Sequence, residues 1–332
     1  MNMPYPEYID KTVLITGGAG LIGTNLTKGL LKEKVKQVIV LDDLSAAEKW
    51  NIPKDDRVIF IEGSILDEEI LKHAFSKKPQ YVFHLAAHFA NQNSVDHPET
   101  DLEVNGRGTL KILEYCRMLR PERLVFASSG CSVYGSEAPL PLKENFISTH
   151  LDTPYQITKL LGEVYCNFYV DYYKLPIVIA RFFNVIGPGE IPGAYRNVIP
   201  NFMYWALHSR KLPITGTGEE TRDFTYVDDI VDGLLRMGIN PKIIGEAINL
   251  ASNKETKIID LANMINDLTE NKAGIAFKER RDWDRIIRRC ASVEKAKELV
   301  GYEPKVGVAE ALPIILKWFK ENEENIEKSA RF

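Results

Sequence analysis

No apolar run in these 332 residues approaches the length needed to cross a bilayer. The opening stretch, Met1 to Lys11, is acidic and contains proline, unlike the basic-then-apolar order of a signal peptide. Cysteine is sparse. Cys116, Cys131, Cys166 and Cys290 stand far apart with no Cys-x-x-Cys pair, and the 6 histidines show no ligand spacing, so no metal site and no disulfide framework are expected. Excess charge is lacking too: a net −4 recommends neither nucleic acid nor a membrane as partner. Internal repeats and low-complexity segments are absent. What remains is an ordinary globular composition, long enough for one large or two intimately joined domains. The economical expectation is a cytoplasmic, metal-free protein with reduced thiols.

Thr12 to Thr16 is β-branched and apolar and reads as a short buried strand. It runs into Gly17-Gly18-Ala19-Gly20-Leu21-Ile22-Gly23, followed by a helix-like stretch to Lys34. Glycines in that order let the backbone turn tightly, admit a pyrophosphate and bring the helix close to the strand. The free N–H groups at the helix start then face the anion. A second strand, Gln37 to Leu41, ends at Asp42-Asp43, about 20 residues beyond the glycines, where a carboxylate can accept both ribose hydroxyls of an adenosine. No Arg or Lys stands between Asp42 and Glu48 to meet a 2′-phosphate, which favours NAD over NADP.

Tyr155-Gln156-Ile157-Thr158-Lys159 places a phenol and an ammonium one helical turn apart on the same face. A free tyrosine ionises near about 10 and is a poor base at neutral pH. A cation beside it favours the phenolate and is expected to bring that value down, giving a proton acceptor for an alcohol. Upstream, Ser128-Ser129 closes a predicted strand. Strands are predicted near 12–16, 37–42, 57–62, 80–86, 122–128 and 176–182, alternating with helices near 21–33, 67–77, 99–119 and 155–173. This pattern predicts an α/β fold, a Rossmann-type doubly wound parallel sheet. Residues 183–220 carry five Gly or Pro clusters and read as loops around one short helix. Val227 to Met237 is again helical, Ala247 to Ala251 is a strand, and the rest reads as helices with a basic loop at 278–289.

These motifs together resemble the extended short-chain dehydrogenases that act on nucleotide sugars, the epimerase and dehydratase family. The resemblance runs from about residue 11 to 316. It rests on Gly17 to Gly23, His84-Leu85-Ala86-Ala87, Tyr155-x-x-x-Lys159, Arg181-Phe182-Phe183-Asn184 with Gly187-Pro188, and Arg222 to Asp229. It implies an NAD-binding Rossmann domain, 1–182 with 221–252 returning to it. A smaller, mostly helical nucleotide-sugar domain would comprise 183–220 and 253–332. Homodimerisation through the long helices 99–119 and 155–173 is implied as well. The cofactor would touch Gly17, Gly20, Leu21, Ile22, Gly23, Asp42, Ser64, Ile65, Leu85, Ala86, Ala87, Asn105, Tyr155 and Lys159.

By the same resemblance Tyr155 is the general base, and Lys159 binds the nicotinamide ribose and holds Tyr155 ionised. Asn184 meets the substrate diphosphate, Asn197 and Val198 contact substrate, and Arg222 with the Arg281-x-x-Asp284 pair binds diphosphate and ribose. A plainer reading of Arg222 is an ion pair with Asp223 or Glu219. Among Arg280, Arg281, Arg285, Arg288 and Arg289, one or two are expected to reach phosphate and the others to form a solvated basic face. In the 4-epimerases a position seven residues beyond the first Arg of Arg-x-x-Asp limits the sugar's C2 substituent. Counted without gaps it is Arg288, and a cation there suits an acidic or acetamido sugar.

The reaction turns on Phe126-Ala127-Ser128-Ser129-Gly130-Cys131-Ser132-Val133-Tyr134-Gly135. Counted from the strand, the catalytic serine of the 4-epimerases is Ser129. Counted back from Val133-Tyr134-Gly135 it falls on Gly130, and Ser128 is a further candidate. The family's dehydratases place Asp-Glu, and its decarboxylases a Glu, where this chain has Cys131 and Ser132. With no carboxylate from Ser128 to Gly135, the expected activity is that of an NAD-dependent 4-epimerase of a nucleotide sugar: UDP-hexose, UDP-acetamidosugar or UDP-uronate. Cys131 keeps open an epimerisation beside the transient ketone, as in the related GDP-mannose epimerases. Dehydratase or decarboxylase chemistry, net oxidoreduction and a non-catalytic NAD-binding module compete with it for the same motifs.

Overall fold

β1 (Thr12–Thr16) is buried along its whole length, as a strand enclosed by helices on both faces must be. The computed structural model describes residues 5–332; residues 1–4, the start of the expected NAD-binding segment, lie outside it. The first half alternates strand and helix: α1 (Leu21–Lys32), β2 (Gln37–Asp42), β3 (Val58–Glu62), α2 (Glu68–Ser76), β4 (Tyr81–His84), then the short α3 (Asn91–Asp96) and α4 (Pro98–Asp101). A π-helical stretch, Leu102–Gly108, leads into α5 (Thr109–Leu119), followed by β5 (Arg123–Ser129), α6 (Gly130–Val133), α7 (Pro154–Tyr173) and β6 (Ile177–Phe182). The single helix expected over 99–119 is therefore widened in its first half, where Asn105, Gly106 and Gly108 are poor helix formers.

After β7 (Asn184–Ile186) come α8 (Val198–Leu207), β8 (Leu212–Thr215), β9 (Thr221–Tyr226), α9 (Val227–Ile239) and β10 (Ala247–Leu250). The chain ends with β11 (Glu255–Lys257), α10 (Ile258–Thr269), β12 (Ile275–Lys278), α11 (Glu294–Val300), α12 (Val308–Glu321) and α13 (Glu323–Ser329). Seven strands form one parallel sheet in the order β10-β6-β5-β4-β1-β2-β3. The order reverses between β1 and β4, and a crevice opens there at the carboxyl ends of the strands.

Outside that sheet, β9 lies between β7 and β11, and β12 pairs with β8. Residues 183–220 are thus not the loops expected around one helix. β7 is only three residues long, and β8 finds its partner some sixty residues later, a pairing no local pattern announces. The basic stretch after β12 has neither helix nor strand up to Cys290. No helix among the described residues is long and apolar enough to cross a membrane.

α7 positions the site. Thr153 caps it, accepting from the Gln156 N–H, and Pro154 occupies its first turn. Its inward face carries Tyr155, Thr158, Lys159, Gly162, Glu163 and Cys166, the helical repeat that lies on β5.

Candidate active site

At Gly17 the backbone takes φ +69°, and a Cβ there would stand 2.6 Å from the Ala86 nitrogen. The turn therefore lies directly on the β4 exit. The Asp42 carboxylate fastens it to β2, accepting from the Ala19 N–H at 3.0 Å and the Leu44 N–H at 2.9 Å. Burial raises the Asp42 carboxyl above its ordinary value, against the pull of those two N–H groups. Beside the turn opens a cavity of about 580 Å³. Gly17, Gly20 to Gly23, Asp42, Ser64, Ile65 and Leu85 to Ala87 line one end of it, and Ala127, Ser129, Cys131, Tyr155, Lys159 and Asn184 the other. Bare backbone at the N-terminus of α1, with an acid at the end of β2, suits the pyrophosphate and adenosine ribose of NAD.

At the second end, Lys159 Nζ donates to the Ala127 carbonyl at 2.9 Å and lies 5.7 Å from the centroid of the Tyr155 ring. Burial pushes this ammonium down to about 8, although Asp101, Cys166 and Glu163 favour its charge. Burial also pushes the Tyr155 phenol well above its usual value, aided by Asp101 and Cys131, while a hydrogen bond with Ser129 pulls the other way. The lowering expected from a neighbouring cation is not found: burial dominates, and Ser129 rather than Lys159 supplies the opposing pull. Behind Tyr155, the Thr158 hydroxyl donates to Asp101 at 2.6 Å, and Asn105 Nδ2 donates to the same carboxylate at 2.8 Å. Asn105 accepts from the His88 N–H and so braces the cavity wall rather than lining it.

The two serines part company. Ser128 donates at 2.5 Å to Glu163, which also receives Arg181 through two bonds of 2.9 and 2.7 Å. Ser129 faces Tyr155. Gly130 has no room for a side chain, because a Cβ would meet the Phe183 ring at 2.2 Å. Cys131 lines the cavity 3.8 Å from Asn184 Nδ2, and burial raises its thiol despite Arg289 and Arg222 nearby.

The expected substrate residues are spread over a wider area. Asn184, Asn197 and Arg281 line the cavity. Val198 opens α8 next to Asn197. Arg222 bonds Asp284 at 3.4 Å rather than Asp223 or Glu219. Arg288 turns outward to Glu255, at 2.6 Å, while the next residue, Arg289, is the buried one. Sequence reasoning missed Glu190, Tyr195, Arg196 and Trp283, all in the cavity wall. Glu190 is buried and pushed up to about 7; Asn197 donates to its Oε1 at 2.8 Å, and its Oε2 has no partner among the described residues. Arg196 donates to the Ala46 carbonyl across the cavity, and Trp283 donates to Gln92 at 2.8 Å. Only Glu163 carried a signal, one turn beyond Lys159 on the same helical face. Among the described residues no group of three or more His, Cys, Asp or Glu could hold a metal ion.

A model of the NAD dependent epimerase/dehydratase family matches residues 13–251. A putative UDP-glucose 4-epimerase of Methanocaldococcus jannaschii is 33% identical, over 93% of this chain and 99% of its own. UDP-N-acetyl-alpha-D-glucosaminuronate decarboxylase of Bacillus cytotoxicus is 32% identical, over 95% and 99%. Among solved structures, an epimerase of Methanothermobacter thermautotrophicus superposes with a TM-score of 0.98 at 55% identity, covering 99% of this chain and 97% of that one. The Bordetella bronchiseptica enzyme WbmF, in complex with NAD+ and UDP, gives 0.85 at 37%, covering 97% and 96%.

Proposed function

The chain belongs to the NAD-dependent epimerase/dehydratase family and uses NAD, and within that family we propose that it is a UDP-sugar 4-epimerase acting as a homodimer. One observation carries this reading: Ser129, Tyr155 and Lys159 meet at one end of the cavity, with no carboxylate from Ser128 to Gly135. Among the described residues the carboxylates lining the cavity are Asp42, Asp43 and Glu190. Asp42 ends β2 and Asp43 follows it, and Glu190 adjoins Gly189, which lies against Thr24 and Asn51. Loss of water needs an acid and a base beyond the tyrosine, and the family's decarboxylases add a glutamate at the same place. Neither is available here, despite the decarboxylase among the relatives.

Tyr155 must act as the phenolate, against the burial that raises it, and then takes the proton of the sugar's C4 hydroxyl, so the O–H bond breaks as the C4 carbonyl forms. When bound, NAD would supply the acceptor for the C4 hydride and the donor for its return to the opposite face of the 4-keto sugar, so no second substrate would be consumed. Ser129 hydrogen-bonds the C4 oxygen and relays its proton to and from Tyr155. Lys159, anchored on Ala127, holds positive charge beside the phenol and keeps N–H groups for the nicotinamide ribose. Residues 183–220 and 253–332 would form the nucleotide-sugar side, with Asn184, Asn197 and Arg281 reaching the nucleotide diphosphate.

The test is proton NMR of UDP-hexoses, UDP-uronates and UDP-acetamidosugars incubated with the enzyme. A C4-epimer signal is expected, with a rate falling roughly 10²- to 10⁴-fold in Tyr155→Phe. An untouched panel, or reduced cofactor accumulating in solution, would overturn the reading.

A further inference from the structure

Among the described residues the Lys and Arg side chains that line the cavity are Lys159, Arg196 and Arg281. Lys159 is bonded to Ala127 beside Tyr155, and Arg281 lies 5.7 Å from the centre of the Trp283 ring. Arg196 is the cation at the end built by the glycine turn and Asp42. Its guanidinium donates to the Ala46 carbonyl, in the loop that follows Asp42. Among the described residues that side chain makes no other hydrogen bond and no ion pair. Burial lowers it from its ordinary value, while Glu190 and Asp42 favour its charge and Arg331 opposes it. A guanidinium has five N–H donors in a planar fork, so most of those of Arg196 are left for a ligand.

The segment that carries Arg196 runs from α1 to the loop after β2. Asn25 of α1 donates to the Pro188 carbonyl at 2.8 Å, and Gly189 lies against Thr24. Gly193 exchanges bonds of 2.8 and 2.9 Å with the Asn201 side chain of α8, and the Ala194 N–H donates to the Arg331 carbonyl at 2.8 Å. Residues 329–332 tie this point to the other loop. Arg331 pairs with Glu48 at 3.1 Å, and Trp50 donates to Ser329 at 3.1 Å. Phe332 packs on Tyr204 and Trp205 of α8, at 5.2 and 5.3 Å between ring centres. One segment thus staples the loop of Arg196 to the loop of Ala46.

We propose that Arg196 is a cofactor-binding residue that reaches across the cavity to the diphosphate of NAD, and that residues 329–332 hold it there. No side chain caps the start of α1, and a helix N-terminus offers only about half a positive charge to a doubly charged diphosphate. A full cation with free N–H groups supplies much of the remainder, and its fork matches phosphate oxygens. The proposal rests on the use of NAD and not on the 4-epimerase reading.

Release of bound NADH, followed by its fluorescence after mixing with excess NAD, tests this without turnover. Arg196→Met should speed release about tenfold or more, the loss of a charged hydrogen bond, while UDP affinity of the loaded enzyme stays within about threefold. Added salt should speed release from the wild type and from Arg196→Lys, and far less from the Met variant. Arg331→Ala with Phe332→Ser, neither of which lines the cavity, should speed release by roughly threefold through the staple alone. Wild-type release that ignores salt, a Met variant that releases NADH at the wild-type rate, or one that weakens UDP by the same factor overturns the proposal. An NMR panel without any epimer would instead refute the 4-epimerase reading and leave this one standing.

Discussion

Ser128 and Ser129 are adjacent in sequence and opposite in task, because successive strand residues point to opposite faces. Ser128 serves the buried Glu163–Arg181 pair, and Ser129 serves Tyr155. Ser128→Ala should therefore lower stability by about 1.5–3 kcal/mol, the worth of a hydrogen bond to a buried charge, with kcat little changed. Ser129→Ala should do the reverse, lowering kcat by about 10² or more while the melting temperature holds. Melting curves and turnover on the same two preparations separate the roles, and matching effects in both would refute the assignment. Glu190 sets a pH dependence. Its carboxyl rises from the usual 4.5 to about 7, chiefly by burial. Below 4.5 both folded and unfolded chains hold the proton, so Glu190's contribution is fully present. As the pH climbs to about 7 only the unfolded chain releases it, and stability falls by up to roughly 3 kcal/mol before levelling off. Glu190→Gln should flatten that decline, and urea melts at pH 5 and pH 8 would reveal it; an equal decline in the variant would count against Glu190.

At the scale of elements, α7 carries Tyr155 and Lys159, and its packing sets their geometry. Gly162 lets it lie on β5, where a Cβ would come within 2.4 Å of Phe126 Cζ. Gly162→Ala should lift the helix, destabilise the protein by about 1–3 kcal/mol and lower kcat together with the melting temperature. Activity retained at wild-type level would show that the Tyr155–Lys159 geometry does not depend on this contact. The strand–turn–helix at Thr12 to Lys32 and the face of α7 were legible from sequence because their signals are local: a glycine spacing, a buried β run, a helical repeat. Less local features were not. β8 and β12 pair across some sixty residues, and Arg289 differs from Arg288 only in which side of an irregular segment it takes. A count along the chain carries no information on that choice, which depends on backbone bonds to Leu142 and Asp223. The phenol of Tyr155 teaches the same lesson in energy: the neighbouring charge was readable from spacing, but the opposing cost of burial was not.

For the molecule as a whole, the face of α7 opposite the active site remains uncovered. Ile157, Val164, Phe168 and Tyr172 are exposed along it, with Phe168 and Tyr172 stacked at 5.4 Å. Met118 and Leu102 are exposed on α5 and the π-helical turn before it. An apolar stripe of this extent on two adjacent helices suits a second copy of the same surface, which would bury it by twofold pairing. The consequence reaches the active site, since the other face of α7 holds Tyr155 and Lys159 in place. Pairing two helices from each copy would stiffen both faces at once. The double change Val164→Glu with Phe168→Glu should convert a dimer into a monomer in light scattering, because like charges would then oppose each other across the twofold axis. It should also lower the melting temperature, and kcat at saturating sugar should fall although no substituted residue lines the cavity. A wild-type chain that runs as a monomer at micromolar concentration would remove the premise. A charged double variant that stays dimeric would move the interface to another face of the molecule.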